Sequence, residues 1–511
     1  MSAAVLVVGA GPTGLTMATE LARRGVEVRV VDKAAQANTD TRALGMQART
    51  LELFERPGIT ADLLAHGLRA DRFNVFSEGR RILRADFRAL PTAYPYLLMI
   101  PQNETEAIVA HRLAELGVEV ERRTTLESID RSEDSATVVL THADGRRETA
   151  TYDWVIGADG AHSTVRRAIG VDFLGSSFEE TFAVADLRVD WERRHEEFFA
   201  FLDRGRFAAF FPMLGGWHRV AIAQPVSAGD GAGRRITTAE LQESLAATVP
   251  GRAAIQEVRQ SGLFRINQRR AAHHRRGRVF LVGDAAHIHS VIGAQGMNTG
   301  IQDAFNLGWK LAAVVTGAAG EQLLDTYAAE RAPVAARLVK GTRRVTRMTL
   351  LKGAAVTAAR RLIAPRVLGR ARVQTALTRA ISQLDVSYHD DRGSAPPGRA
   401  AVGDRAPDAA TGSPDGAGRV HDLLLSTGHT LLGFGRSESE VRATLSRESD
   451  GLHVVGLPVG SPAATAYGVG RPTAVLVRPD GYIAVRDDSD TFEAIRSYWD
   501  RVGAQKSGAA T

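Results

Sequence analysis

The apolar and polar positions at the start of the chain predict a strand, a helix and a second strand. Residues 4–8 form an apolar, β-prone run, and residues 15–24 repeat their apolar positions with helical spacing. Gly25 follows that helix, and residues 26–31 return to a strand pattern that ends on Asp32. This order is typical of a βαβ unit, which indicates an α/β fold with a parallel, Rossmann-like sheet.

The break between the first strand and the helix has the sequence GAGPTG, from Gly9 to Gly14. In such a turn the first glycine permits tight bending, the second lets backbone N–H groups approach a pyrophosphate, and the third lets the helix pack closely on the strand. The helix N-terminus adds partial positive charge, and Asp32 is placed to accept hydrogen bonds from ribose hydroxyls. An ordinary tight turn is the alternative. Because all these elements are in register, we predict a dinucleotide site, although these residues alone leave the dinucleotide open.

Two later segments each place a carboxylate directly after a predicted strand. Residues 153–160 read DWVIGADG, and residues 278–303 read RVFLVGDAAHIHSVIGAQGMNTGIQD. Open α/β sheets bind ligands at the carboxyl edge where such carboxylates lie. In the second segment the glycine-rich residues 293–300 open a predicted helix at 301–311. The pattern therefore predicts that two helix N-termini converge on one ligand.

Together these motifs give the chain a resemblance to the single-component, FAD-dependent aromatic hydroxylases of the para-hydroxybenzoate hydroxylase type. Within them it most resembles the phenol and polyketide hydroxylase branch. The resemblance rests on the glycine turn, on DGAHSTVR at 159–166 and on the GDAAH segment with the glycine-rich residues after it. Two further stretches match, TRALGMQARTLELF at 41–54 and PQNETEAIVAHRL at 101–113. The resemblance implies non-covalently bound FAD, with NADPH or NADH as a transient co-substrate.

The resemblance also implies roles for single residues. Asp32 would hold the adenosine ribose, and Arg42 and Gln102 would reach the ribityl and pyrophosphate region. Asp284 would meet the ribityl chain. The full set of implied FAD-binding residues is Gly9, Gly11, Pro12, Thr13, Gly14, Asp32, Lys33, Arg42, Gln102, Leu126, Asp284, Gly296, Met297 and Asn298. The resemblance assigns no catalytic side chain and no metal ligand.

Some of these assignments concern the backbone or leave an alternative open. Met297 and Asn298 would contact the isoalloxazine ring through their backbone. Leu126 is either a backbone contact of the adenine or a plain core position. Asp159 and Arg166 are expected to brace the fold and the approach of the pyridine nucleotide rather than to touch FAD.

The resemblance implies a monooxygenase that uses FAD, NAD(P)H and O₂. It would hydroxylate a phenolic or polycyclic, polyketide-like aromatic substrate through a flavin C4a-hydroperoxide, the cofactor carrying the difficult chemistry. One alternative is Baeyer–Villiger oxidation or epoxidation of a polyketide by the same cofactor. Another is a non-catalytic flavoprotein that acts as a scaffold.

The patterns divide the chain into four predicted units. An FAD-binding domain takes residues 1–180 and 263–330, and a substrate-binding β-sheet takes 70–100 and 181–262. A basic helical segment follows at 331–392, and a thioredoxin-like domain, implied by the resemblance, takes 393–511. The sheet region holds a group of aromatic residues that forms either core or the wall of an aromatic pocket; they are Phe199, Phe201, Phe207, Phe210, Phe211 and Trp217.

The basic segment has no acidic residue between Glu330 and Asp385 but has thirteen Lys and Arg residues. A solvated helical face is the simplest interpretation, steering of an anionic cofactor or substrate comes next, and membrane contact is the least expected. The C-terminal unit has no cysteine and cannot exchange thiols. It is therefore expected to serve in packing or self-association, which allows a homodimer.

Composition narrows the remaining classes of function. The net charge of +6 is modest for 511 residues, so a nucleic-acid partner is not expected. The absence of cysteine excludes disulfides and Cys-ligated metals and fits the cytoplasm. No apolar run is long enough to span a membrane, so no membrane partner is expected. His273 and His274 lie in a polar run that predicts a solvated turn, without the spacing of a metal site.

One departure from the family pattern generates a prediction. Two residues after His289, where the family usually has a proline near the reactive flavin carbon, this chain has Val291. We expect a looser site, with little product formed per NAD(P)H consumed when the substrate is a simple phenol. Coupling should rise with a large polycyclic substrate, and with simple phenols in Val291→Pro. Tight coupling of a small phenol by the native enzyme would contradict this prediction.

Overall fold

The computed structural model describes residues 4–38, 43–203, 205–224, 236–289, 295–351, 353–389, 399–412, 418–424, 427–445 and 452–503. Its strands are β1 (Val5–Val8), β2 (Val28–Asp32), β3 (Leu44–Met46), β4 (Leu68–Ala70), β5 (Arg72–Ser77), β6 (Arg80–Asp86), β7 (Leu97–Pro101), β8 (Val120–Arg122), β9 (Thr125–Arg131), β10 (Ala136–Thr141), β11 (Arg147–Tyr152), β12 (Trp154–Gly157), β13 (Phe173–Asp190), β14 (Phe198–Asp203), β15 (Arg206–Pro212), β16 (His218–Gln224), β17 (Ala254–Ala271), β18 (Arg275–Arg276), β19 (Val279–Leu281), β20 (His287–Ile288), β21 (Thr430–Phe434), β22 (His453–Leu457), β23 (Thr473–Val477) and β24 (Ile483–Asp487).

The helices are α1 (Pro12–Ala22), α2 (Ala48–Phe54), α3 (Thr60–His66), α4 (Gln102–Glu115), α5 (Thr164–Ala168), α6 (Thr238–Thr248), α7 (Gly296–Val315), α8 (Asp325–Leu350), α9 (Ala354–Leu362), α10 (Ala364–Leu368), α11 (Ala371–Ile381), α12 (Glu438–Leu445), α13 (Pro462–Ala466) and α14 (Glu493–Val502). No helix in the described part of the chain is both long and apolar enough to cross a membrane.

The N-terminal strands form a six-stranded sheet of order β18-β19-β12-β1-β2-β8. β1 pairs in parallel with β2 and with β12, so that Val5 lies opposite Val28 on one side and Trp154 on the other. The predicted βαβ opening is confirmed. Because β1 is buried on both faces, it has the unbroken apolar sequence typical of a central parallel strand.

Helix α1 packs against α7 with unusually close backbones. A Cβ added at Gly300 would lie 2.4 Å from Oγ1 of Thr13, and one added at Gly308 would lie 2.7 Å from Cβ of Glu20. Small residues at both contacts are therefore needed for the two helices to lie side by side. Their N-termini, at Pro12 and Gly296, begin at the same region of the sheet edge.

The second large sheet has eight strands in the order β20-β17-β13-β16-β15-β14-β5-β6. Its aromatic residues separate onto two faces, because successive residues of a strand point to opposite sides. Phe199, Phe201 and Phe210 lie in the core under α6, whereas Phe207 packs on the other face. Trp217 belongs to the core cluster that contains residues of β1, α1 and α7. These residues therefore do not form one pocket.

The C-terminal residues form a four-stranded sheet of order β22-β21-β23-β24 with α12, α13 and α14 beside it. β21 and β22 are parallel, and β23 and β24 add to them in antiparallel fashion. This is the thioredoxin-like arrangement implied by the resemblance. The sequence predicts strands here at 430–433, 452–456, 473–477 and 482–486, and the observed strands lie within one residue of these ranges.

A buried ion cluster joins α2 to the C-terminal unit. Oε2 of Glu52 accepts from Nε of Arg405 at 2.7 Å, and lies 3.2 Å from Nη1 of Arg49. All three side chains are buried. Burial alone would raise the pKa of Glu52, but the charges around it, Arg405 foremost, hold that pKa well below its usual value.

A second buried cluster joins α7 and α8 to the turn between β23 and β24. Glu330 accepts from Nζ of Lys310 at 2.8 Å and from Nη1 of Arg478 at 2.6 Å. Burial lowers the pKa of Lys310 to about 8, although Glu330 opposes that shift. Arg56 adds bonds to the carbonyl oxygens of Leu424 and Pro479. The C-terminal unit is thus docked by charges that are largely buried.

The first cluster generates a stability prediction. Glu52→Ala would leave Arg405 and Arg49 buried without their carboxylate, which costs about 3–5 kcal/mol in comparable sites. We expect a large decrease in the free energy of unfolding, measured by urea denaturation and followed by circular dichroism. Glu438→Ala, which breaks an exposed pair with Arg442, is the control and should change little. Equal effects of the two substitutions would contradict the prediction.

Candidate active site

In the glycine turn between β1 and α1, two glycines are required by close backbone contacts, and the third lies beside open space. Gly9 has φ of +105°, and a Cβ there would lie 2.4 Å from the carbonyl oxygen of Ala158. A Cβ at Gly14 would lie 1.9 Å from the carbonyl oxygen of Gly9. At Gly11, by contrast, a Cβ would meet no described atom within 4 Å. The protein itself requires glycine at 9 and 14, while position 11 faces a cradle that a ligand can fill.

The cradle belongs to a cleft of about 470 Å³ at the carboxyl ends of β1, β2 and β12. The first residues of α4 and the end of β8 form its other sides. Six residues of the predicted set line it: Gly9, Gly11, Asp32, Lys33, Gln102 and Leu126. Leu126 is also part of the core beneath β1, which is one of the two roles expected for it.

Asp32 fixes the floor of this cleft. Its Oδ2 accepts the N–H of Ala10 at 2.6 Å, and its Oδ1 accepts the N–H of Ala34 at 2.7 Å. The guanidinium of Arg122 lies 3.8 Å from the same carboxylate. An ionised carboxylate has about four acceptor positions. Asp32 can therefore hold the turn and still accept from a ribose.

Two charged cleft residues were missed by the sequence reasoning, Glu106 and Arg122. Nε2 of Gln102 donates to Oε1 of Glu106 at 2.7 Å, one turn further along α4. Burial raises the pKa of Glu106, partly offset by that amide. The four-residue spacing from Gln102 was the available signal. Arg122 gave none, because it enters the cleft only through the pairing of β8 with β2.

Helix α7 begins at Gly296, and the residues of its first turn, Met297 and Asn298, are not among those that line this cleft. The side chain of Asn298 accepts the N–H of Gln47 at 2.8 Å and donates to the carbonyl of Gly45 at 3.0 Å. It thus braces β3, and the contribution of this turn to a ligand would come from its backbone. The first N–H groups of a helix have no acceptor within the helix.

A buried network of charged side chains stabilises the turn that carries Asp284. Asp303 accepts from the N–H of Gly283 at 3.1 Å, from Nε2 of His287 at 2.7 Å and from Nε of Arg331 at 2.6 Å. Burial alone would raise the pKa of Asp303, but Arg331 and His287 keep it well below its usual value. Asp284 itself is exposed while its neighbours are buried. Asp303 and Arg331 are further residues that the sequence reasoning missed.

The other predicted residues lie near the cleft or near the turn that carries Asp284. Pro12 is the first residue of α1, where its missing N–H costs nothing, and Thr13 packs between Gly283 and Gly300. Asp159 accepts the N–H groups of Thr164 and Val165 and so begins α5. Arg42 lies outside the described residues, as does Val291 with the other residues of 290–294.

The sequence also yields expectations for Arg166, His273 and His274. Arg166 donates to the carbonyl oxygens of Ala161 and Ala285, a bracing role as expected. His273 is exposed, but the expectation of a solvated turn is wrong for His274, which is only 2% exposed. Its ring lies near Tyr327 of α8, and burial lowers its pKa to about 4.

Comparison with known proteins gives matches along almost the whole chain. Residues 2–342 match the family described as FAD binding domain, and residues 399–502 match the family described as aromatic-ring hydroxylase, C-terminal. The chain is 41% identical over 395 residues to 6-methylpretetramide 4-monooxygenase of Streptomyces rimosus, covering 76% of this chain and 70% of that protein. It is 35% identical over 519 residues to pentachlorophenol 4-monooxygenase of Sphingobium chlorophenolicum, covering 96% and 94%.

A solved structure agrees with these matches. The anhydrotetracycline hydroxylase from Streptomyces rimosus is 30% identical and covers 99% of both chains, with a TM-score of 0.81. The thioredoxin-like unit is included in that coverage. The described fold is therefore shared from end to end.

The open cradle at Gly11 generates a prediction about FAD. Gly11→Ala puts a methyl group where the pyrophosphate must approach the backbone, so the purified variant should contain far less than one FAD per chain. Gly341→Ala on α8 is the matched control, since its added Cβ also meets no described atom within 4 Å. It should keep its FAD. Near-stoichiometric FAD in Gly11→Ala would contradict the prediction; flavin absorbance measures both.

The residues of the cleft fit FAD. The cradle at Gly11 suits a pyrophosphate, Asp32 suits a ribose, and the first turn of α7 begins where a second helix N-terminus was expected. The family matches name the same cofactor. The chain belongs to the FAD-dependent aromatic hydroxylases, and it is a flavin-dependent monooxygenase with FAD as cofactor and NAD(P)H as co-substrate.

Proposed function

We propose that this monooxygenase hydroxylates a polycyclic, phenolic aromatic compound of polyketide type. Relatives named for 6-methylpretetramide and for anhydrotetracycline support that class of substrate. The proposal depends chiefly on one observation, a buried amide oxygen without a donor beside an aromatic wall.

The wall is one face of the eight-stranded sheet. Phe182, Phe198 and Phe207 lie on it together, opposite the face covered by α6. The ring centroids of Phe198 and Phe211 are 4.6 Å apart, and those of Phe198 and Phe73 are 4.2 Å apart. A broad apolar surface of this kind suits a flat, multi-ring ligand.

Gln268 of β17 supplies a polar group on the same side of the sheet. It is 2% exposed, and its Nε2 lies 3.5 Å from Oγ1 of Thr342 on α8, which crosses this face. No described residue donates to its Oε1. A buried acceptor without a donor costs about 1–3 kcal/mol. A phenolic hydroxyl would supply that donor, which is why Gln268 supports a phenol rather than a hydrocarbon.

The position of Gln268 also relates it to the cofactor. Its neighbour Arg269 pairs with Ile288 of β20, only four residues beyond Asp284. The amide therefore lies between the aromatic wall and the turn at which we place the ribityl chain. Bound FAD would pass electrons from NAD(P)H to O₂ and deliver one oxygen atom to the substrate. The residues of the chain would bind, orient and shield the reacting ring.

We place the FAD according to the same residues. The adenosine half would occupy the cleft with Asp32, Lys33 and Gln102, its pyrophosphate at Gly11, and the flavin half would meet Asp284 and the first turn of α7. The division into an FAD-binding domain, a substrate sheet, a basic helical segment and a thioredoxin-like domain follows the same proposal. Action in the cytoplasm and as a homodimer stay predictions from the sequence.

The experiment compares a phenol with its methyl ether. The native enzyme should bind 1-hydroxyanthracene more tightly than 1-methoxyanthracene, oxidise NAD(P)H faster in its presence, and add one oxygen atom as measured by product mass. Gln268→Leu should weaken binding of the phenol roughly tenfold and leave that of the ether nearly unchanged, because only the phenol donates a hydrogen bond. Binding is followed through the flavin absorbance.

Gln374→Leu on α11 is the control and should preserve the preference for the phenol. An unchanged preference in Gln268→Leu would overturn the role of the amide. A product that is a lactone or an epoxide would favour the alternative chemistry. Failure of every aromatic compound to stimulate NAD(P)H oxidation would overturn the proposed substrate class.

A further inference from the structure

A cluster of exposed apolar side chains lies on the helices between the FAD-binding unit and the C-terminal unit. The described chain exposes nine large hydrophobic side chains, and six of them fall within residues 345–367. They are Val345, Met348, Leu351, Leu362, Ile363 and Val367, with exposed fractions from 39% to 60%. We call this cluster, with the cations around it, the basic apolar face. Single exposed apolar residues are ordinary, but such a concentration indicates an interaction surface.

The charges of this face have one sign. Of the thirteen Lys and Arg residues between Glu330 and Asp385, nine are exposed: Arg337, Lys340, Arg343, Arg344, Arg347, Arg361, Arg366, Arg370 and Arg372. Arg337 apart, the described residues of this stretch form no salt bridge except that of Arg331 with Asp303 inside the protein. Arg337 apart, the outer cations are thus not neutralised by the described fold, and the face presents a field that attracts an anionic surface.

The helices α8 and α9, which carry several of the exposed apolar residues, are connected by hydrogen bonds. Nη2 of Arg360 donates to the carbonyl oxygens of Met348 and Thr349, at 2.6 and 3.0 Å, and so ties α9 to the end of α8. Thr346 and Thr349 are buried against the protein. Residues on the opposite side of the helix therefore point outward, which is where Met348 lies.

We propose that the basic apolar face docks the enzyme on the surface of an anionic lipid membrane. A short amphipathic helix lies in the plane of a membrane when its apolar side chains enter the acyl boundary and its Arg and Lys side chains meet the phosphates. The chain carries both groups on α8, α9 and α10, and no described helix could span a bilayer. This proposal replaces the expectation of no membrane partner.

Two other candidate partners of the basic apolar face, a second copy of the chain and an acidic protein, fit it less well. A symmetric contact between two copies would bring the same cations of both chains together, with no acid in this stretch to separate them. An acidic protein would satisfy the cations but would leave the exposed apolar side chains in contact with water. A fluid anionic lipid surface supplies phosphates for the cations and an acyl boundary for the apolar side chains.

The test is sedimentation of the FAD-loaded enzyme with vesicles of phosphatidylglycerol and, separately, of phosphatidylcholine. The enzyme should partition onto the anionic vesicles at least tenfold more strongly, and salt should weaken that binding. Leu362→Ser with Ile363→Ser should lower partitioning roughly tenfold through the loss of inserted apolar area. Arg361→Glu with Arg370→Glu should lower it to a similar extent.

Matched controls separate this face from the rest of the surface. Leu214→Ser and Val402→Ser remove equally exposed apolar side chains elsewhere, and Arg147→Glu reverses an exposed charge elsewhere. All three should bind as the native enzyme does. Equal binding to both kinds of vesicle would overturn the proposal, and so would unchanged partitioning of the Leu362 and Ile363 variant. A native dimer in sedimentation equilibrium that becomes a monomer in this variant would also overturn it.

Discussion

The close approach of α1 to the strands and to α7 is the constraint on which the site depends. At Gly14 only 1.9 Å separates the position of a Cβ from the carbonyl oxygen of Gly9, and at Gly300 only 2.4 Å separates it from Thr13. A larger side chain at either place would push α1 outward. The cradle at Gly11 exists because this packing holds the turn in place, and Asp32 can bond to Ala10 for the same reason.

The second determinant is the burial of charge between units that are distant in the sequence. Glu52 and Arg405 are 353 residues apart, yet each is the main counter-charge of the other inside the protein. Such pairs add little net stability when formed, but the loss of one partner is costly because the other charge stays buried. They therefore make the docking of the C-terminal unit specific rather than simply strong.

Local sequence patterns correctly predicted the elements that depend on neighbouring residues. They did not predict features that depend on contacts between residues distant in the sequence, such as which face of a sheet a side chain occupies. The βαβ opening, the glycine turn and the C-terminal strands each depend on a few consecutive residues. The split of Phe199 and Phe207 onto opposite faces depends on the register of β14 and β15. The burial of His274 under Tyr327 depends on α8, more than fifty residues later. Glu106 alone among the missed residues had a local signal, its spacing from Gln102.

Helix α7 connects the two ends of the molecule. It is twenty residues long, about 30 Å, with Met297 in its first turn and Lys310 in its second half. Lys310 bonds to Glu330, which also holds Arg478 of the C-terminal unit. Because one helix joins the two ends, any effect of C-terminal docking on the affinity of a ligand at the first turn of α7 is matched by an equal effect of that ligand on docking. Because the C-terminal unit has no cysteine, any influence it has on the cofactor passes through such contacts rather than through thiol exchange.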